Sequence, residues 1–338
     1  MAHVLIIGGG LSGCTAALEL AKRDQKVTII EKTGSIGGMV RQFGCKSVDC
    51  CSNCGLCLAG GLWEAVENSN NIDIITMTRL VDITGDKGNF NVNLNGPQGY
   101  YTLTEISLIM VCIGFERSTS ESYGNMEFLS SANIISGFEL EKLISNRGKE
   151  GIMPEAPSKV AFIQCFGSRD VQEKASYCSR VCCGYSTRAA KVLKYYYPNI
   201  QVAFFYMDLQ YVEEGQYFDE LISEGFEFIK CRPVKIIDGN PAKILYEQSE
   251  TGIMLEREFD LIVLSEGIHP PSDAGIIAEL CTLGMDDKGF LRCVRDGAET
   301  GIYIAGCVSG PKRIEDVYTE SLKVARQLIL DNYLQQDN

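Results

Sequence analysis

Short apolar runs punctuate the chain at regular intervals. Residues 3–7 form one of strand length, and Gly8-Gly9-Gly10-Leu11-Ser12-Gly13 comes directly after it. Next is a helical pattern through Leu18, Leu20 and Ala21, then a second apolar run over 27–30 that ends in Glu31. Continuous apolar runs bounded by glycine are the mark of strands buried on both faces, as in a parallel sheet. The order recurs after the proline-bearing stretch 153–157: the pattern predicts a strand over 159–164, a helix over 188–197, a strand over 202–207 and a last buried strand over 259–267. Two strand–turn–helix–strand units predict an α/β fold of two Rossmann-like domains. The second is interleaved with the first: residues 1–150 and 268–338 make one domain, and 151–267 are inserted in it.

The first glycine turn carries a specific chemistry. Gly8 supplies the tight turn, Gly10 lets backbone approach a pyrophosphate, Gly13 lets helix and strand pack closely, and the helix N-terminus from Ser12 onward faces the phosphates with free N–H groups. Glu31 stands eighteen residues after Gly13, where an acid accepts from a ribose hydroxyl. The segment beginning at this acid favours FAD over NAD. Glu31-Lys32-Thr33-Gly34-Ser35-Ile36-Gly37-Gly38 resembles the segment of glutathione-reductase-type flavoproteins in which a paired glycine passes beside the flavin. The run over 106–114 ends in Gly114, and Thr300-Gly301-Ile302-Tyr303-Ile304-Ala305-Gly306 resembles the C-terminal FAD signature of the same proteins. Where they carry aspartate next, this chain has Cys307, so the usual side-chain contact to the ribityl chain would pass to the backbone N–H groups of the following turn. The candidate FAD-binding residues are therefore Gly8, Gly10, Ser12, Gly13, Glu31, Lys32, Gly38, Gly114, Gly306 and Cys307.

Composition narrows the function class. A chain of 338 residues with 45% hydrophobic and 22% charged residues folds into globular domains. A formal net charge of -13 argues against a phosphate-backbone partner. With neither a spanning apolar stretch nor a signal-peptide layout, a soluble cytoplasmic protein without membrane insertion is expected. The only histidines, His3 and His269, read as structural, so imidazole-based hydrolysis has no candidate and no catalytic side chain is assigned.

The fifteen cysteines change the picture more. A chain of this length does not need disulfides, so clustered cysteines mean metal or redox chemistry. Cys165, Cys178, Cys182 and Cys183 are spaced C-x12-C-x3-C-C, with Cys165 at a predicted strand end. Four thiolates suit an iron-sulfur cluster or a structural zinc. Cys165 also replaces the first glycine of the second domain's turn, Cys165-Phe166-Gly167-Ser168-Arg169-Asp170, where a nicotinamide dinucleotide would otherwise bind. Cys45, Cys50, Cys51, Cys54 and Cys57 form a second group; Cys51, Cys54 and Cys57 have the C-x2-C-x2-C spacing of three ferredoxin-type ligands, with Cys50 or Cys45 as a fourth. A second cluster, a redox-active dithiol and zinc all stay open for this group. Cys14, Cys112, Cys231, Cys281 and Cys293 stand singly and read as packing residues.

The strings Cys165 to Asp170, Tyr177 to Cys183, Phe205-Tyr206-Met207-Asp208 and Ala305-Gly306-Cys307-Val308-Ser309-Gly310-Pro311-Lys312 resemble the A subunit of heterodisulfide reductase and its relatives. The resemblance runs over nearly the whole chain and includes the cysteine at 307. It implies the two-domain plan of thioredoxin and glutathione reductases, FAD, and a 4Fe-4S cluster on Cys165, Cys178, Cys182 and Cys183. It also implies partner subunits of a heterodisulfide reductase-like complex, ferredoxin-like carriers, and flavin-based bifurcation in its fullest form; a homodimer stays open. Compared with longer archaeal members, the chain resembles the short reductase core alone, without room for inserted or appended ferredoxin domains. Two rivals stand beside this reading: an NAD(P)H-dependent disulfide reductase using Cys45 to Cys57, and a scaffold subunit with structural FAD and zinc.

Overall fold

The computed structural model describes residues 2–117, 132–148, 151–171, 175–210 and 216–336. They divide into two compact units. The first comprises 1–41, 55–116 and 269–338; the second comprises 42–54 and 117–268.

In the first unit five parallel strands lie in the order Ile302–Ile304, Leu108–Val111, His3–Ile7, Lys26–Ile30, Ile72–Ile75. Side chains alternate between two faces, both buried in the strands His3–Ile7, Lys26–Ile30 and Leu108–Val111. Leu5, Ile7, Ile109 and Val111 pack against Phe90, Val92 and Leu94, which line the inner face of an antiparallel meander, Arg79–Asp86, Asn89–Gly96 and Gly99–Ile106. Ile6 points the other way, toward helix Leu11–Ala21: a Cβ on Gly13 would come within 3.0 Å of it. The long helix Ile314–Gln336 packs on that same helix.

The second unit repeats the plan. Its parallel order is Glu227–Lys230, Gln201–Tyr206, Lys159–Phe166, Leu261–Glu266, Ile134–Ser136. Phe162 and Phe204, fully buried and stacked at 5.0 Å, face helix Cys182–Tyr196 through Ala189 and Leu193. Ile163 and Phe205 face a second meander through Ile236, Ile244 and Tyr246.

Two expectations need correcting. The sequence pattern runs the flavin domain to residue 150, which lies outside the described residues; the compact units divide earlier, at 116/117, because Ile134–Ser136 hydrogen-bonds to Leu261–Glu266. Segment 42–54 also goes with the second unit. A buried ion pair, Lys46 Nζ to Glu141 Oε2 at 2.7 Å, and the close seat of Gly44 on the backbone of Ile144 and Ser145 hold it there. The helix expected over 188–197 starts six residues sooner, at Cys182, since Ser186 and Thr187 turn their hydroxyls back onto the carbonyls of Cys182 and Cys183 and so leave no polar signal at the true start. Among the described residues no helix is long and apolar enough to cross a membrane.

Candidate functional site

Every candidate FAD-binding residue lies in the first unit, at the C-terminal edge of its parallel sheet, where an α/β fold presents its ligands. Gly8 has φ +107°, and a Cβ there would stand 2.5 Å from the carbonyl oxygen of Cys112. Gly13 is pressed against the carbonyl of Gly8, with a Cβ at 2.1 Å. Gly10 is different: a Cβ there would meet nothing within 4 Å. Two glycines thus close the turn against the protein and the third leaves its outer side open. Gly10 also caps helix Leu11–Ala21 without any side-chain bond, so the first N–H groups of that helix have no capping side chain. An open backbone facing an uncapped helix start is the cradle a pyrophosphate requires.

Glu31 is 8% exposed. Its Oε2 accepts from the N–H of Gly9 at 2.8 Å, and Oε1 accepts from the N–H and hydroxyl of Thr33, each at 2.8 Å. The carboxylate therefore braces the glycine turn while keeping lone pairs for a ribose. Gly38, at φ +55°, passes directly over the turn, and a Cβ would touch the Cα of Gly10 at 3.2 Å; the N–H of Gly37 bonds to the carbonyl of Gly9 at 2.7 Å. Gly114, at φ +77°, borders open space. Gly306 donates its N–H to Glu320 Oε2 at 2.7 Å, and Lys312 Nζ gathers the Gly306 carbonyl, the Ser309 hydroxyl and Glu320.

Three candidates are engaged inside the protein. The Ser12 hydroxyl pairs with that of Ser321 at 2.7 Å and reaches Cys112 Sγ, joining two helices. Lys32 pairs with Asp273 at 2.8 Å. The Cys307 thiol points to the carbonyl of Lys312 at 3.7 Å, and burial pushes it up to about 11, so it is a neutral thiol. Burial likewise raises the thiols of Cys14 and Cys112, the latter to about 12, as suits packing residues. The pairing of Lys312 with Glu320 is not singled out by sequence reasoning, since the two lie eight residues apart and Lys312 precedes the helix that carries Glu320.

The second cysteine-bearing site is built at the corresponding edge of the second unit. Strand Lys159–Phe166 loses register with Leu261–Glu266 between Ile163 and Phe166. Cys165 falls in this bulge with φ +58°, a conformation that turns its side chain off the strand end. Residues 167–181 separate this strand from the helix that begins at Cys182. Arg169 N–H bonds to the Tyr177 carbonyl, Asp170 and Ala175 exchange backbone bonds, and the Ser179 hydroxyl accepts from Ile268 N–H at 3.0 Å.

The Cys182 thiol interacts with those of Cys165 and Cys183, and Cys178 lies within its electrostatic reach. The contact with Cys182, together with burial, raises the Cys165 thiol. Cys165 holds the Cys182 thiol down, but Cys183 and burial outweigh it and move it up to about 12. Arg180 donates its N–H to Cys178 Sγ at 3.3 Å. Four sulfurs thus share one strand end, crossing loop and helix start, a donor set fitting a four-thiolate cluster. Among the described residues, no three or more histidine, cysteine, aspartate or glutamate side chains converge on a single ion position.

Cys45, Cys50 and Cys51 are exposed and Cys54 is half-buried, all on the segment 42–54 of the second unit. Arg188, from helix Cys182–Tyr196, donates to the carbonyls of Ser52 and Asn53 at 2.9 and 3.5 Å, so this segment is fastened to the helix that carries Cys182 and Cys183. Cys57 is exposed and belongs to the first unit.

Residues 6–50 match the NAD(P)-binding Rossmann-like domain family. The chain is 28% identical to an iron-sulfur A subunit of CoB–CoM heterodisulfide reductase from Methanopyrus kandleri, over 92% of this chain and 61% of that protein. It is 27% identical to the A subunit of H(2):CoB-CoM heterodisulfide,ferredoxin reductase from Methanothermobacter marburgensis, over 94% and 62%. The chain therefore spans about three fifths of the length of these two relatives. Among solved structures, thioredoxin reductase of T. acidophilum superposes with a TM-score of 0.65 at 17% identity, covering 98% of this chain and 100% of that one. The chain thus has the thioredoxin reductase fold and is similar over nearly all of its own length to heterodisulfide reductase A subunits.

Proposed function

We propose that the chain is an FAD-dependent oxidoreductase that passes electrons between flavin and iron-sulfur partner proteins, within a heterodisulfide reductase-like complex. The observation that carries this reading is the pairing of two unlike sites on two like units: a glycine cradle with an open face at Gly10 in the first, and four thiols at the equivalent sheet edge in the second. FAD, when bound, converts between two-electron and one-electron transfer, and a 4Fe-4S cluster carries single electrons. Gly8, Gly10 and Gly13 would admit the pyrophosphate, Glu31 would hold the ribose, and Gly38, Gly114 and Gly306 would line the rest of the cofactor. Cys165, Cys178, Cys182 and Cys183 would ligate the cluster. With its thiol turned to the Lys312 carbonyl, Cys307 would serve through backbone.

The names of the relatives support partner subunits and ferredoxin-like carriers. Cys50, Cys51, Cys54 and Cys57 are offered as a second cluster site, supported by exposure of three of the four, as a site facing a partner would need. Bifurcation rests on the resemblance alone. The rival NAD(P)H reductase would need a tight glycine turn in the second unit, where residues 167–181 instead separate strand from helix.

Anaerobic purification with determination of flavin, iron, acid-labile sulfide and zinc tests the proposal. One FAD with about four iron and four sulfide per cluster is expected. Zinc without iron would overturn it in favour of a scaffold role, and flavin without metal but with NADPH-driven disulfide reduction would favour the reductase.

A further inference from the structure

We infer that Arg169, held by Asp208, is a positioning residue of the four-cysteine site that raises the reduction potential of the centre ligated there; this rests on the cluster reading above. The local backbone is built to deliver it. Cys165, Gly167 and Arg169 adopt φ of +58°, +73° and +56°, so every second residue after the strand bulge is left-handed and the chain curls back on itself. For cysteine and arginine that conformation costs roughly 1–2 kcal/mol each. It persists because the surroundings fix it: Ser168 N–H bonds to the Cys165 carbonyl at 3.1 Å and Arg169 N–H to the Tyr177 carbonyl at 2.9 Å.

The curl places the Arg169 guanidinium within electrostatic reach of the Cys165 sulfur. Its Nη1 simultaneously bonds Asp208 Oδ1 at 2.6 Å. Asp208 in turn accepts the Cys183 thiol on its backbone carbonyl at 3.9 Å. The charged pair thus stands beside Cys165, and the backbone of the same Asp208 meets Cys183. A planar guanidinium can hold a carboxylate and a sulfur at once because its N–H groups fan out in a fixed fork. Towards a thiolate-ligated centre, a cation and an N–H···S bond both favour the state with one more electron. Asp208 fixes the fork in place and tempers its charge.

The test compares wild type with Arg169→Met, Arg169→Lys and Asp208→Asn, each purified anaerobically as the whole chain, by iron and sulfide content and by EPR-monitored redox titration. Arg169→Met should retain iron and lower the reduced-to-oxidised ratio at a fixed potential about tenfold, which for a one-electron couple is a shift of about 59 mV to the negative. Lysine should recover part of the shift, since it restores charge but not the fork, and Asp208→Asn should move the potential by loosening the fork while leaving iron in place. If Arg169→Met loses iron, retention in Arg169→Lys with a displaced potential still supports the role. Unchanged midpoint potentials in iron-replete Arg169→Met would overturn the inference and leave the cluster reading standing. A wild-type chain without iron or sulfide would overturn both.

Discussion

Glu266 ends the strand Leu261–Glu266 at the cysteine-bearing edge of the second unit and is 8% exposed. Burial raises its carboxyl from 4.5 to about 7; Arg117 and the Phe138 N–H, at 3.4 Å, pull it down, and Glu139 adds to the rise. In the unfolded chain the group ionises at its ordinary value. Between these two values the folded state holds a proton that the unfolded state has released, so stability falls as pH rises through this window. The penalty is absent below the unfolded value and complete above the folded one. At 1.36 kcal/mol per unit the whole displacement is about 3 kcal/mol. Roughly 2 kcal/mol of it is expressed between about pH 5.5 and about pH 8.5.

Glu266→Gln removes the ionisation and keeps a carbonyl oxygen for the Phe138 N–H. Urea unfolding of wild type and variant at those two pH values isolates the effect, because every other group titrates in both proteins. The variant should gain about 2 kcal/mol on wild type in going from the lower to the higher pH. Stability curves that run parallel across the interval would refute the reasoning, and would mean that Glu266 ionises in the folded protein at its ordinary value.

Replacing Glu31 with alanine should weaken FAD binding by about 1.5–3 kcal/mol, roughly ten- to a hundred-fold in Kd, read by flavin fluorescence on apoprotein; an unchanged Kd would remove the carboxylate from the site. Phe204→Ala, which empties a fully buried position stacked between Phe162 and Phe228 at 5.0 Å from each, should cost about 3–5 kcal/mol in chemical unfolding. NADH and NADPH should not reduce the flavin rapidly, because Cys165 stands where the turn's first glycine belongs and the fifteen residues 167–181 separate the strand from the following helix. Bleaching of the flavin band within milliseconds in anaerobic stopped flow would refute this.

The parts of the fold that are legible in the sequence are those whose signal is local. The strand His3–Ile7 is legible to the residue, because an apolar run ending in glycines admits one interpretation, and Lys26–Ile30 to within one residue. Glu31 is legible through spacing alone. What spacing cannot carry is partnership at a distance. Ile134–Ser136 is too short to stand out from its surroundings and becomes a strand only by pairing with Leu261–Glu266, more than a hundred residues on; the domain boundary moves with it. Likewise Arg169 and Asp208 sit in plain view within two of the quoted motifs, but their bond spans 39 residues and depends on two left-handed backbone positions that no propensity favours. Non-glycine residues go left-handed only where tertiary contacts compel them, so sequence preference is least informative where the chain is most strained. Among the described residues, Cys165, Arg169 and Arg180 are three such positions. A nucleotide turn would take glycine at these positions at no cost; placing Cys165 and Arg169 in left-handed backbone instead is consistent with the proposal that sulfur, rather than phosphate, is held at this strand end.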